Sequence, residues 1–174
     1  MNDYISATEP EWSREHKRWR DWNPSKSLLS AHRSYERHRS GRGPLSFLAR
    51  NFAVMRHRFW SVVCGADIPL GTELGGGLLM PHPNGIVIHH DAKVGPNCLI
   101  FQQVTIGANS HGRVPTIGGH VDIGAGAKII GGVTIGDHAR IGANAVVVSD
   151  VLDYTTVAAI PGTQIVDRRR QPTE

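Results

Sequence analysis

Residues 117–147 read IGGHVD IGAGAK IIGGVT IGDHAR IGANAV V, and spacing them in sixes sets out the fold. Ile117, Ile123, Ile129, Ile135, Ile141 and Val147 fall in one register. The same step appears upstream at Ile88, Val94, Ile100 and Ile106, with an interruption between Ala108 and Thr116. All ten positions are β-branched and aliphatic, and six are followed by glycine: Gly95, Gly107, Gly118, Gly124, Gly136 and Gly142. A β-branched residue suits an inward strand position, and glycine lets the chain turn a corner without steric penalty. A short fixed period of this kind predicts a parallel β-helix whose coils stack on one another. A sandwich would alternate every second residue and would not hold phase for sixty.

The remainder of the 174 residues is organised differently. Aromatics make up 6% of the chain, and nine of the eleven precede residue 61. In that head, Leu45, Leu48, Phe52, Met55, Phe59 and Val63 follow helical spacing between Pro44 and Gly65, both suited to helix ends. This apolar stripe needs a surface, expected to be the body of the same chain or a neighbour. Residues 1–60 carry twelve Lys/Arg against six Asp/Glu, a surplus of six, whereas residues 61–174 carry seven against nine. A basic head points to nucleic acid, an anionic membrane surface or simply solvated helix faces; scattered charges and no nucleic-acid motif favour the last. No apolar run is long enough to span a membrane, and the N-terminus does not read as a signal peptide. Cys64 and Cys98 form neither a disulfide framework nor a cysteine-rich zinc site, which predicts a reduced, cytoplasmic protein.

Five segments carry a family resemblance: Gly65-Ala-Asp-Ile, His82-Pro-Asn-Gly-Ile-Val-Ile, Gln103-Val-Thr-Ile-Gly, Ile123-Gly-Ala-Gly-Ala-Lys-Ile and Ala159-Ile-Pro-Gly. From Gly65 to Val166 the chain resembles the serine acetyltransferases, a branch of the left-handed β-helix acyltransferases built from hexapeptide repeats. The resemblance implies a helical segment over 1–64, a β-helix acetyltransferase domain over 65–166 and a charged tail over 167–174. It also implies acetyl-CoA as co-substrate, a small hydroxyl acceptor and a homotrimer with active sites between subunits. With about sixty residues before the repeats, a trimer is expected over a hexamer. No metal, nucleic-acid or membrane partner is expected.

O-acetylation requires a base for the hydroxyl proton and a group to orient that base. His82 follows Gly75-Gly76-Gly77 at a break in the hexad phase, and Asp67 lies fifteen residues earlier, close to one coil. The resemblance assigns these two as the catalytic dyad. It also assigns Arg113, in the interrupting loop, to the acceptor carboxylate, which a guanidinium fork suits. Ala108, Ala125 and Ala143 are expected along the CoA arm. Lys128, Arg140 and Arg168 to Arg170 are expected at its phosphates. His111 is a neighbour without a role. His89 and His90 are expected to face opposite sides of a strand in structural roles. His120 and His138, eighteen apart, should stack as solvated or interface residues, a metal being the weaker alternative.

Two departures bear on the acceptor. Pro81 stands where the family places an aspartate, and Val114 where it places a histidine. A sugar or polysaccharide hydroxyl is therefore the alternative acceptor to L-serine. A zinc carbonic anhydrase on the same fold and a non-enzymatic scaffold fit the residues less well.

Overall fold

In a computed structural model the chain is described over residues 5–18 and 20–160. The body carries twelve short strands: β1 (Glu73–Leu74), β2 (Val87–Ile88), β3 (Lys93–Val94), β4 (Leu99–Ile100), β5 (Thr105–Gly107), β6 (Thr116–Ile117), β7 (Asp122–Ile123), β8 (Lys128–Ile130), β9 (Thr134–Ile135), β10 (Arg140–Ile141), β11 (Val146–Val147) and β12 (Thr156–Val157). They form three four-stranded parallel sheets in the orders β1-β3-β6-β9, β2-β5-β8-β11 and β4-β7-β10-β12. Except at β1–β3 and β10–β12, where isolated bridges at Leu79 and Val151 stand in for a strand, every third strand joins the same sheet, so the chain winds as a triangular β-helix.

Two columns of side chains fill its interior. The β-branched residues expected from the hexads are buried, Ile106, Ile123, Ile129 and Ile135 at 0% exposure. Two residues before them runs a second column of smaller groups, Ala92, Cys98, Val104, Val121, Ala127, Val133, Ala139 and Ala145, also buried. Small and large thus alternate through the narrow interior, which is how side chains reach close packing there.

Register shows where coils depart from eighteen residues. Thr116 pairs with Thr134 and Asp122 with Arg140, each eighteen apart. Glu73 pairs with Lys93, twenty apart, because two residues are added between Met80 and Ile88. Lys93 pairs with Thr116, twenty-three apart, because five are added after Ile106. Both insertions leave the inward register intact and push chain outward at the corners.

The head consists of α1 (Pro24–His38) and α2 (Pro44–Cys64) after an N-terminal strap with a 3-10 turn at Trp12–Glu15. Asn23 caps α1 by accepting from Lys26 N, with Pro24 at the first helical position. Gly65, at φ 62°, closes α2 in the left-handed conformation. The strap is fastened to the body by buried Asn97, whose amide donates to the Ser6 and Glu9 carbonyls and accepts from Glu11 N. Arg33 of α1 pairs with Glu15 at 2.8 Å and also donates to the Leu74 and Gly75 carbonyls.

The face of α2 that meets the rest of the molecule is not the expected stripe. Ala53, His57 and Cys64 are the residues it buries. Leu45, Leu48, Phe52, Met55 and Phe59 are exposed, so among the described residues the body of the same chain does not cover them. Small and polar side chains let α2 approach α1 closely, and this contact, aided by the Arg56 to Ser30 hydrogen bond, sets the helix rotation.

Candidate active site

His82 sits on the two-residue insertion. Pro81 and Pro83 flank it, and proline fixes φ on both sides, so the ring is carried on a stiffened corner. That corner is pinned to the coil beneath: Gly85 N donates to the Gly65 carbonyl at 2.7 Å, and the Asn84 amide lies over Gly65 where any Cβ would collide. Asp67 follows two residues after Gly65 and pairs with Val87 through an isolated parallel bridge, donating to the Ile86 carbonyl and accepting from Ile88 N. Both side chains are exposed, and no hydrogen bond or ion pair joins them. The insertion places Val87, not His82, beside Asp67 in the ladder.

A cavity of about 400 Å³ opens at His82, lined by Trp22 to Ser25, Val63, Cys64 and Pro81 to Asn84. The contribution of the head was not anticipated. The signal was present, since Cys64 lies three residues before Asp67 and the end of α2 must therefore reach the site. Burial pushes the Cys64 thiol up to about 11, and that of Cys98 up to about 12, so neither is a thiolate near neutral pH.

Arg113 is carried by the five-residue insertion, which closes on itself. Asn109 N donates to the Arg113 carbonyl at 3.0 Å, and Asn109 Oδ1 accepts from His111 N and Arg113 N. Gly112 completes the turn at φ 72°. The Arg113 stem lies against Gly132, where an added Cβ would come within 3.0 Å, while its head is exposed. His111 is exposed on the same loop.

The residues expected around CoA fall on two corners. Ala125 and Ala143 stack on successive coils, the Ala125 carbonyl accepting from Asn144 N. Lys128, on β8, and Arg140, on β10, border that corner from its two sides. Lys128 Nζ donates to the Gln103 carbonyl, and Arg140 Nε lies 3.9 Å from Asp122. Ala108 lies at the next corner, beside the Arg113 loop, and is not brought to the other two within one protomer. Arg168 to Arg170, like Pro161 and Gly162 of the last motif, lie outside the described residues.

The remaining histidines differ in part from expectation. β2 ends at Ile88, so His89 and His90 turn the corner instead of facing opposite sides, and their rings lie 4.5 Å apart. His120 and His138 do lie one above the other on successive coils, their rings edge to face with Nδ1 to Nδ1 at 2.8 Å, and the Tyr154 ring stacks 4.6 Å beyond His138. Burial chiefly holds the His120 pKa below its usual value, the nearby Asp122 opposing and His138 reinforcing it.

This architecture recurs in known proteins. Residues 115–149 match the family described as bacterial transferase hexapeptide (six repeats). A serine acetyltransferase of Synechococcus elongatus is 44% identical over 107 residues, 60% of this chain and 44% of its own length. The chain resembles the serine acetyltransferases. Their fold, the left-handed β-helix, is the fold of this body. The soybean serine acetyltransferase complexed with serine superposes with a TM-score of 0.67 at 33% identity, covering 80% of this chain and 56% of that one. The serine acetyltransferase of Brucella abortus in complex with coenzyme A gives 0.67 at 31%, covering 80% and 55%. The chain thus spans about half the length of the serine acetyltransferases it matches.

Proposed function

We propose that the chain is an acetyl-CoA-dependent O-acetyltransferase, with L-serine the leading acceptor and O-acetylserine, a precursor of cysteine, the product. The observation that carries this reading is His82 on a proline-stiffened corner lining a cavity, in a chain similar to a serine acetyltransferase over 60% of its length. His82 takes the acceptor's hydroxyl proton as that oxygen attacks the thioester carbonyl. The tetrahedral intermediate then expels the CoA thiolate, which recovers the proton from His82. Asp67 orients the protonated imidazole once acceptor and neighbouring subunit enclose the site, and Arg113 holds the acceptor carboxylate. Backbone at Ala125 and Ala143 follows the CoA arm, Lys128 and Arg140 meet its phosphates, and Ala108 belongs to the half-site facing the partner. A homotrimer brings these corners together. The division at 1–64, 65–166 and 167–174 separates site wall, catalytic body and tail. Two free thiols suit the cytoplasm.

Pro81 and Val114 favour one other reading, a sugar hydroxyl as acceptor, since two polar partners for an amino acid are missing. His82→Ala should lower turnover on the order of 10²–10⁴-fold with unchanged circular dichroism. Retained wild-type turnover rejects the dyad. Measuring kcat/KM for serine and for a sugar acceptor, in wild type and in Arg113→Lys, separates the acceptors. A serine enzyme loses about tenfold or more through KM, because a point charge replaces a fork. Absent serine turnover beside efficient sugar acetylation selects the second reading.

A further inference from the structure

The uncovered face of α2 has a composition that identifies what it meets. Leu45, Leu48, Phe52, Met55, Phe59 and Val62 run along one side of this 21-residue helix, each between 58% and 84% exposed. The stripe is about 26 Å long at 1.5 Å per residue. Trp22, 75% exposed and 5.6 Å from Trp60, adds an exposed aromatic near the C-terminal end of the helix. On α2 itself the charge has one sign, and the nearest acid before it, Glu36, pairs with Arg39 at 3.1 Å. Residues 37–66 contain Arg37, Arg39, Arg42, Arg50, Arg56 and Arg58 and no aspartate or glutamate. Arg50 lies over the Phe47 ring at 5.6 Å and Arg56 over Phe52 at 5.8 Å, so guanidinium groups edge the apolar side chains.

Against the expectation of no membrane partner, we propose that α2 docks flat on an anionic bilayer surface, its apolar stripe sunk among the acyl chains near the headgroups and its arginines paired with lipid phosphates. An amphipathic helix with bulky apolar residues on one side and arginines at its borders is built for that interface. Charge selects it over the alternatives. Two copies meeting face to face through α2 would set arginine against arginine with no acid on the helix to pair them. Nucleic acid would accept the arginines and leave the stripe wet. The basic head and acidic body also orient the molecule, the head toward the lipid and the body away. Val63 and Cys64 line the His82 cavity, so a docked α2 holds that cavity at the headgroup level. The proposal does not depend on acetyl transfer and stands or falls on lipid binding alone.

The test is co-sedimentation of the full chain with phosphatidylcholine vesicles, with and without phosphatidylglycerol. Binding to the anionic vesicles, weakened by salt and absent on phosphatidylcholine alone, is expected. Phe52→Ser with Met55→Ser should abolish it with circular dichroism unchanged, as both side chains are exposed. Arg42→Gln with Arg58→Gln should weaken it on the order of thirtyfold. Wild type that ignores anionic vesicles overturns the proposal. So does a lipid-free assembly that dissociates in the serine double variant, since that assigns the face to a second copy of the chain.

Discussion

The β-helix and the helical head solve opposite problems with their apolar residues. In the body, the aliphatic side chains of the two inward columns are buried, while Lys93, Lys128 and Arg140 take outward positions. In the head, Leu45, Phe52, Met55 and Phe59 of α2 point outward while Trp60 is partly buried, and the inner face buries His57 and, on α1, His32. Each coil contacts the next through the same positions, so a residue's side is fixed by its place in the hexad. A lone helix pair has no such repeat, and which face lies inward depends on the fit between neighbours.

The strongest break of this contrast is inside the body. Ile123 is fully buried and stacks in register between Ile100 and Ile141. Ile123→Ala should cost about 2–5 kcal/mol, the usual range for deleting a core aliphatic group and leaving a cavity. Chemical denaturation of wild type and variant measures it. A loss below about 1 kcal/mol would mean the coils close around the gap and the column is not the source of stability.

That difference also decides how much was legible. The hexads from Ile88 to Val147 carry ten repetitions of one instruction, and the structure follows each. The second column was equally readable, since Ala92, Cys98, Val104 and Val121 recur two residues before the first, yet mixed sizes concealed it. The two insertions marked the His82 corner and the Arg113 loop because a broken phase stands out against a period. What spacing did not disclose was the cavity wall, formed by Trp22, Asn23 and Val63 from a head joined to the body at one glycine. Nor did it disclose the rotation of α2. Helical spacing identifies a stripe but not what covers it, and His57 and Ala53 won the inner face because they permit close approach to α1.

The inner face of the head can be probed by pH. His57 is 6% exposed, and burial, with the adjacent His32 adding repulsion, lowers its pKa to about 4. His32 is shifted down as well, mainly by burial. Because the folded value lies below the unfolded 6.5, the unfolded chain binds more protons between them. Stability from neutral His57 is therefore full above pH 6.5 and is lost as pH falls toward 4, by on the order of 3 kcal/mol. Urea midpoints followed by tryptophan fluorescence should fall across that window. His57→Leu should flatten the dependence, leaving the smaller parts from His32 and from His120 in the body. A slope identical in wild type and His57→Leu would place the acid sensitivity elsewhere.

The smallest expected effect is the most discriminating. Met55 lies at the middle of the outward stripe and is 64% exposed, while Ile123 has no exposure at all. Exposed side chains away from caps and turns contribute within about 0.5 kcal/mol, so Met55→Ser should leave the denaturation midpoint nearly unchanged. Its consequence should appear only when lipid is present, as weaker binding to phosphatidylglycerol vesicles. If Met55→Ser instead lowers stability by about 2 kcal/mol or more in lipid-free buffer, the side chain is buried in the protein's own assembly. The head would then use its apolar residues as the body does, with a second copy as the inner surface. Unchanged stability together with lost vesicle binding keeps the two regions distinct, one holding the fold and the other placing it.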